Sequence, residues 1–237
     1  MRFDIATYSD KGPRLVNEDA WNYHAFNEDT IAICVADGVG GNPCGQKASQ
    51  ICANNFISYV AEPERLPLRQ IAYKIDADIK KYATNNSECT GLATTLSGCI
   101  LAHGLLTGVH IGDTRVYVLR GNGIRQLTQD HTEVERLIRE KLLLKANVPF
   151  YHRKNVLEMA LGSTNALEPL LFEFKLLAGD RIILTTDGVH NIIKKAMIRD
   201  ISLATPDIND FAKSLINKLL SSKLKDNVTF VVAQVNY

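Results

Sequence analysis

The fold is decided by the stretch Ile31-Ala-Ile-Cys-Val-Ala-Asp37-Gly38-Val-Gly40-Gly41. Its apolar run, rich in β-branched residues, ends abruptly on an aspartate that glycines follow. This pattern predicts a buried strand that delivers one carboxylate to a sharp turn at the edge of a sheet. Glycines there let the backbone approach a bound group closely and expose carbonyl oxygens as extra ligands. Taken alone, such an aspartate more often belongs to an ordinary hairpin turn.

The same pattern returns twice along the chain. Residues 182–187 form an apolar run that ends on Asp187, and residues 109–113 form a similar run that ends on Asp113. Three apolar strands that each end on an aspartate predict a site where hard oxygen ligands converge. Oxygen ligands favour Mg²⁺ or Mn²⁺ over zinc, which would call for histidine or cysteine. The repetition therefore favours a cation site over three unrelated turns.

The composition sets the class of protein. With 237 residues the chain can bury a substantial core, and its net charge of +1 gives no argument for nucleic acid or an anionic membrane. Its longest apolar runs have the length of strands, so we expect no membrane insertion, and we see no secretory signal. Its five cysteines include no C-x-x-C pair, and Cys34 and Cys99 lie in apolar runs as core residues would. A reduced, cytoplasmic setting is the expectation.

Periodicity predicts strands that meet through hairpins and helices that come in pairs. Strands are predicted at residues 3–9, 21–26, 31–36, 92–102, 105–111, 116–120, 124–127, 170–176, 181–186 and 228–235. Helices are predicted at residues 45–61, 68–82, 133–145, 192–201 and 208–221. No repeat or linker divides the chain. We therefore predict one α+β domain over residues 1–237, with antiparallel sheets rather than βαβ units.

Acidic residues collect at the ends of the predicted elements. They are Glu18, Asp19, Asp37, Asp113, Asp187 and Asp226. Bunched carboxylates repel each other and stay ionised together only when cations neutralise them. Two hard cations bridged by one carboxylate can hold a hydroxide aimed at phosphorus. That chemistry also needs a rigid cation for the phosphate oxygens, and Arg14 is the best candidate because its guanidinium fork matches phosphate. From spacing alone, a solvated loop charge is the more common role for Arg14.

Short motifs follow one another along nearly the whole chain. They are Gly12-Pro-Arg14-Leu-Val-Asn17-Glu18-Asp19, Ala36-Asp37-Gly38-Val-Gly40-Gly41, Ala93-Thr94-Thr95-Leu96, Gly112-Asp113-Thr114-Arg115-Val-Tyr117, Gln126-Leu-Thr128-Gln-Asp130-His131-Thr132, Leu161-Gly162, Thr186-Asp187-Gly188 and Asp226-Asn227. In this order they resemble the metal-dependent serine/threonine protein phosphatases of the protein phosphatase 2C family, in its compact bacterial form. One such motif would be weak evidence, whereas the ordered series is strong.

The resemblance implies a fold and a metal centre. The fold would be a β-sandwich of two antiparallel sheets flanked by pairs of α-helices, a four-layer αββα arrangement with metals in a channel at one edge. Asp37 would bridge two Mn²⁺ or Mg²⁺ ions. Asp187 and Asp226 would hold the first ion, and Glu18 with the carbonyl of Gly38 would hold the second.

The resemblance also implies a reaction and further roles. Arg14 would clamp the phosphate, so Arg14 and Asp37 are the predicted catalytic residues. Asp113, with Asp187, corresponds to the carboxylates of a third, weaker metal site. The reaction would be one-step hydrolysis of a phosphomonoester by direct attack of a metal-bridging water or hydroxide, without a phospho-enzyme. The predicted supporting residues are Asp19 and Asn227.

The chain departs from the family pattern at a few positions. Val39 stands where many eukaryotic members carry a histidine, so the proton donor to the leaving alcohol is expected to be a metal-bound water. Asn191 replaces a carboxylate that can support the third metal, which counts against occupancy of that site. His190 beside it is expected to be a helix-start residue. The histidines show no metal-binding spacing, and most are expected at the surface or in turns.

The implied substrates are phosphoserine and phosphothreonine in proteins, and the implied partner is a bacterial Ser/Thr kinase that the chain opposes. We expect a monomer. Basic residues around 131–153 could meet an acidic phosphopeptide, and a solvated helix face explains them equally well. Two alternatives stay open: a phosphatase-like binding or signalling module, and a phosphatase for small phosphomonoesters. A phosphate-loop interpretation of residues 40–47 is disfavoured, because Pro43 removes a backbone donor and the lysine falls one residue late.

Overall fold

The structure is a computed structural model that describes residues 1–39, 44–64 and 66–236. Its strands are β1 (Arg2–Asp10), β2 (Asp19–Asn27), β3 (Thr30–Val39), β4 (Ala93–Thr94), β5 (Leu96–Ala102), β6 (Leu105–Ile111), β7 (Arg115–Arg120), β8 (Gly123–Gln126), β9 (Leu170–Lys175), β10 (Arg181–Thr185) and β11 (Val228–Asn236). Its α-helices are α1 (Gly45–Val60), α2 (Leu68–Asn85), α3 (Glu133–Arg139), α4 (Asp187–His190), α5 (Lys195–Ala204) and α6 (Ile208–Leu220). Short 3₁₀ helices cover Ser87–Cys89 and Lys145–Phe150.

The strands form two antiparallel sheets. The first has the order β1-β11-β10-β7-β8, and the second has the order β2-β3-β5-β6-β9 with β4 beside β3. Tight turns join neighbouring strands, as between β5 and β6, where His103 and Gly104 have φ angles of 50° and 76°. The predicted α+β class, with two antiparallel sheets flanked by helices, is confirmed.

Three apolar cores separate four layers. Successive side chains of a strand point to opposite faces of its sheet, so each sheet contributes to two cores. The central core, between the sheets, contains Ile33 of β3 and Ile182 of β10. A second core contains Cys34 of β3 and Phe56 of α1, together with residues of α2. The third lies between the first sheet and helices α5 and α6, with Phe211 fully buried in it.

The two sheets bring strand ends to one edge of the sandwich. Asp37 lies opposite Asp19 across the β2–β3 pair, and Gly38 lies opposite Thr94 of β4. In the other sheet, β10 ends just before Asp187, and β11 begins just after residues 226–227. Acidic residues from both sheets therefore follow or end strands at the same edge.

The predicted helix at residues 133–145 is too long. The observed helix α3 ends at Arg139, and Lys141 then adopts a left-handed φ of 61°. Beyond that point the N–H of Leu142 donates to the carbonyl of Leu137 at 2.8 Å. Because Leu142 and Leu144 are each 70% exposed, a longer helix would bury no apolar face there.

Two further boundaries differ from the prediction. The predicted strand at residues 92–102 is divided into β4 and β5 at Thr95, whose hydroxyl accepts a hydrogen bond from β3. The predicted helix at residues 192–201 begins only at Lys195, because the N–H groups of Ile192 and Ile193 donate to the carbonyl of Val189 and close α4 instead. The glycines at 40 and 41, and the start of the run at 40–47, lie outside the described residues.

The cysteines depart from the reduced setting that we expected. Cys44 and Cys89 form a disulfide, whereas Cys34, Cys52 and Cys99 are unpaired and buried. The core positions predicted for Cys34 and Cys99 are confirmed, since neither is exposed. No helix in the described part of the chain is long and apolar enough to cross a membrane.

Candidate active site

Two threonines fix the backbone of Asp37. Its N–H donates to the hydroxyl of Thr95 at 2.8 Å, and its carbonyl accepts from the N–H of Thr95 and the hydroxyl of Thr94, each at 2.9 Å. These bonds satisfy both peptide groups of Asp37, which lies beyond Val35, the last residue of β3 that pairs with β5. The carboxylate of Asp37 is left to line a cavity at the sheet edge.

Asn227 anchors the loop between β1 and β2. Its Oδ1 accepts from the N–H of Glu18 at 2.9 Å, and its Nδ2 donates to the carbonyls of Lys11 and Val16 at 2.8 and 3.0 Å. The carbonyl of Glu18 accepts in turn from the N–H of Gly38 at 3.0 Å. The loop is thereby tied to the start of β11 and to the end of β3.

Gly188 lets the start of α4 pack against the chain that leads into β11. A methyl group at Gly188 would overlap the backbone carbonyl of Asn227. Glycine is therefore required for this close approach. The approach sets Asp187, the first residue of α4, beside Asp226 at the cavity wall.

Arg14 forms an ion pair with Asp226. Its Nη2 lies 2.7 Å from Oδ2 of Asp226, and the two side chains are 53% and 38% exposed. The hydrogen bond to Asp226, followed by the charge of that carboxylate, raises the pKa of Arg14. A guanidinium has five N–H donors, so this partly exposed fork still has donors for a second anion.

The candidate residues meet at one cavity of about 190 Å³. Its lining consists of Arg14, Glu18, Asp37, Gly38, Val39, Asp113, Asn155, Leu157, Asp187, Asp226 and Asn227. Every site residue predicted from the sequence is in this set except Asp19. Within the described residues, no three acidic, histidine or cysteine side chains lie close enough together to coordinate one metal ion. The carboxylates thus surround an open space instead of forming a closed cage.

Asp19 lies buried behind the cavity. Its Oδ2 accepts from the hydroxyl of Thr186 at 2.8 Å, whereas its Oδ1 has no hydrogen-bond partner among the described residues. A buried carboxylate oxygen without a donor is costly. A hydrated cation in the cavity would supply the missing donor.

Burial and mutual repulsion make these carboxyl groups hard to ionise. Desolvation, followed by the charge of Asp187, raises the pKa of Asp113 to about 7, and desolvation with the charge of Asp226 raises that of Asp187 to about 6. Desolvation, and then the charge of Asp19, holds the pKa of Asp37 well above its usual value. Carboxylates in this state ionise together only beside positive charge. The all-oxygen donor set and its excess negative charge therefore fit divalent Mn²⁺ or Mg²⁺.

Several residues of the site were not predicted from the sequence. Thr95 and Thr186 stand in recognised motifs, but the sequence showed no reason why their hydroxyls should hold Asp37 and Asp19. Asn155 and Leu157 line the cavity from a loop without regular structure. No pattern in the sequence indicates that this loop reaches the site.

Most of the histidines lie at the surface or in loops, as expected, since His24, His103 and His152 are exposed, but two histidines are buried. His110 is fully buried, with Nδ1 2.9 Å from the hydroxyl of Ser97 and Nε2 3.1 Å from the carbonyl of Gln129. Desolvation lowers the pKa of His110 to about 3. His190 is also buried and is the last residue of α4, so its prediction as a helix-start residue is wrong. Neither histidine lines the cavity.

Two of the basic residues in the segment after residue 131, Arg136 and Arg153, form ion pairs. Arg136 bonds Glu158 at 2.6 Å, and Arg153 bonds Glu133 at 2.7 Å. Their charges are therefore neutralised within the chain. Arg139, Lys141 and Lys145 have no ion pair among the described residues, so a solvated surface and a surface for an acidic phosphopeptide both stay predictions.

Comparisons with known proteins agree over nearly the whole chain. The family model described as protein phosphatase 2C matches residues 12–229. The serine/threonine phosphatase Stp of Listeria welshimeri is 28% identical over 228 residues, which cover 93% of this chain and 90% of that protein. The family-model match contains all the cavity-lining residues and the strands from β2 to β10.

Solved structures share the same architecture. The crystal structure of the serine/threonine phosphatase Stp1 from Staphylococcus aureus has a TM-score of 0.91 and 26% identity, and the match covers 100% of this chain and 96% of that chain. The catalytic domain of the phosphatase PstP, solved in complex with 2 manganese ions, has a TM-score of 0.83 and 30% identity, with 99% of each chain covered. The similarity extends through every layer of the fold.

Proposed function

The chain belongs to the protein phosphatase 2C family and is a serine/threonine protein phosphatase, and from this premise we propose how its cavity performs the reaction. The proposal is that the cavity takes phosphoserine and phosphothreonine of proteins together with two Mn²⁺ or Mg²⁺ ions. The observation that carries it is the meeting of acidic side chains from both sheets, one backbone carbonyl and one guanidinium around the same space.

We assign the ligands as the resemblance to the protein phosphatase 2C family implies, and all of them line the cavity. Asp37 would bridge the two ions, Asp187 and Asp226 would complete the first site, and Glu18 with the Gly38 carbonyl would complete the second. The manganese ions named for the PstP catalytic domain support a two-metal arrangement. The excess of acidic side chains around the cavity supports cation binding independently of any relative.

The residues of the chain position the phosphate and keep the ligands in place. Two bound cations supply Lewis-acid stabilisation of the phosphoryl oxygens and activate water as the nucleophile. Arg14 orients the phosphoryl group through its planar fork. Only Nη2 of Arg14 is engaged by Asp226, so the guanidinium has further N–H donors for the phosphoryl group. Asn227 holds Glu18 at the cavity by accepting a hydrogen bond from the N–H of Glu18.

We propose that a third cation binds weakly, beside Asp113 and Asp187. The side-chain amide of Asn191 donates to Oδ2 of Asp187 at 3.2 Å. That bond occupies one lone pair of the oxygen that the third site would share. An amide also lacks the negative charge of the carboxylate that this position carries in other members of the family.

We also propose that the phosphatase acts in the cytoplasm and opposes a Ser/Thr kinase. The relatives named serine/threonine phosphatases support protein substrates. Fractionation of cells with an antibody against the chain tests the location. Phosphoproteomes of cells with and without the active enzyme test the substrates.

The deciding experiment measures hydrolysis of a phosphothreonine peptide, p-nitrophenyl phosphate and a sugar phosphate, each with Mn²⁺, with Mg²⁺ and with EDTA. We expect metal-dependent turnover that favours the peptide over the sugar phosphate. Asp37→Asn and Asp187→Asn should each lower the turnover number at least about 100-fold, because each removes a charged ligand. Asp200→Asn on the exposed face of α5 is the matched control and should leave turnover unchanged.

A folded, Mn²⁺-loaded protein without turnover would contradict the proposal and would leave a phosphatase-like binding module. Full activity in EDTA would contradict the metal assignment. Faster turnover of the sugar phosphate than of the peptide would replace the protein substrates by small phosphomonoesters.

A further inference from the structure

The Cys44–Cys89 disulfide joins two segments that are distant in sequence. Cys44 immediately precedes α1, and Cys89 ends the 3₁₀ helix at Ser87–Cys89 after α2, a separation of 45 residues. The other cysteines are unpaired in the core. The bridge therefore closes the α1–α2 hairpin at the end that faces the active site.

On its first side, the bridge adjoins the predicted ligands of the second metal. A methyl group at Gly45, the first residue of α1, would lie 2.5 Å from Oε1 of Glu18. A methyl group at Gly38 would overlap the carbonyl of Gly45. The start of α1 thus packs without spare room against Glu18 and Gly38. The position of Cys44 sets the position of this contact.

On its second side, the bridge leads into the strand that holds Asp37. The carbonyl of Cys89 accepts from the N–H of Leu92 at 3.1 Å, and β4 follows at once. Thr94 pairs with Gly38 across the β3–β4 ladder, and Thr95 accepts from the N–H of Asp37. The disulfide thereby links the two supports of one ligand pair, Asp37 and Gly38.

We propose that Cys44 and Cys89 are a redox modification site that sets the affinity of the second metal site. The proposal deepens the function above and rests on its metal assignment. Oxidation removes one hydrogen from each thiol, two electrons and two protons in total, and forms one S–S bond. The acceptor is a peroxide, which becomes water and an alcohol or a second water, or a small disulfide, which becomes two thiols. A dithiol reductant reverses the reaction by exchange through a mixed disulfide.

Reduction releases one constraint and leaves the fold in place. The cores that hold α1 and α2 against the second sheet include Phe56 and Ile75, both fully buried, so the helices stay docked. The start of α1 and the segment before β4 lose their covalent link. Cys44 and Cys89 are buried, at 7% and 4% exposure, directly beneath the exposed residues Ser87, Glu88 and Thr90. Disulfides in cytosolic proteins are usually transient and redox-sensing.

The test compares oxidised and reduced protein with two measurements that do not depend on turnover. Thiol titration in denaturant should give three thiols after diamide treatment and five after reduction with a phosphine. Calorimetry with Mn²⁺ should show one of the two sites losing affinity by about tenfold on reduction, the effect expected when a support of a metal ligand is lost. The other site shares only Asp37 with this contact and should lose less affinity.

The double variant Cys44→Ala/Cys89→Ala gives the reduced behaviour permanently, and phosphine should not alter its Mn²⁺ affinity. Cys99→Ala, which keeps the bridge, should retain the full redox response. The wild-type comparison stands if either variant fails to fold.

Five thiols after oxidation, or equal Mn²⁺ affinity in both redox states, would overturn the inference and leave the phosphatase assignment intact. Absence of Mn²⁺ binding in both states would overturn the metal site together with the inference.

Discussion

Replacing Thr95 by valine tests how much the site depends on the support of Asp37. The hydroxyl of Thr95 is buried and accepts from the N–H of Asp37 at 2.8 Å. Valine keeps the shape and removes the acceptor, so a buried N–H loses its partner at a cost of about 1–3 kcal/mol. For a chain of this size each kcal/mol lowers Tm by about 2–4 °C. We expect Thr95→Val to lower Tm by about 2–12 °C in EDTA, measured by thermal denaturation, and to weaken Mn²⁺ binding by about tenfold.

Two controls separate the hydrogen bond from other effects of the substitution. Thr95→Ser keeps the hydroxyl and should retain Mn²⁺ affinity while losing only the methyl packing against Gly112. Thr107→Val makes the same chemical change on β6, at a half-buried residue, and should shift Tm by less than about 1 °C. If Thr95→Val matches wild type in both Tm and Mn²⁺ affinity, the bond to Asp37 does not position the ligand and the reasoning is refuted.

Three further predictions follow from the same site. In EDTA, Tm should fall as pH rises from about 4 to 7, because folding raises the pKa of Asp187 to about 6 and that of Asp113 to about 7 from the ordinary value of 3.8. The protonated carboxyl groups stabilise the fold at low pH, and this stabilisation is lost as they release their protons across that range. Asp113→Asn should make Tm depend less steeply on pH in thermal melts, and an unchanged slope would contradict the assignment. Arg14→Ala should lower kcat/KM for the phosphothreonine peptide by about 100-fold while calorimetry shows Mn²⁺ affinity retained; a parallel loss of Mn²⁺ affinity would make Arg14 a support of the metal site instead. Gly188→Ala should lower the free energy of unfolding by about 1–3 kcal/mol in urea, because the new methyl overlaps the carbonyl of Asn227; wild-type stability would show that α4 can shift freely.

Strands and helices were predictable where one face is buried, because burial requires apolar residues at the spacing of that element. Strand β6 and helix α1 follow their predicted ranges closely, since each has one face in an apolar core. The prediction was wrong for residues 133–145, where local helix propensity continues but Leu142 and Leu144 meet no partner layer. Periodicity shows which residues can be buried, whereas the end of α3 depends on what lies opposite it.

The sequence predicted which residues belong to the site, but it did not predict which of them contact each other. Strand-end aspartates indicated a convergence, and the motif series indicated which acidic residues share it. The ion pair of Arg14 with Asp226 joins two residues that are far apart in the sequence, and no local pattern encodes it. The same holds for the Cys44–Cys89 bridge, because the pairing of cysteines follows from the path of the chain.

The contacts of Thr94 and Thr95 explain why a motif without ligands accompanies the ligand motif around Asp37. The carboxylate must face a cavity that contains mainly other carboxylates, and desolvation already opposes its charge. A free strand end would relax away from that repulsion. The bonds from Thr94 and Thr95 oppose the relaxation by engaging the backbone on both sides of Asp37. In the metal-free protein the carboxylates of the site therefore repel one another and destabilise the fold. Bound cations would neutralise this repulsion and stabilise the folded state.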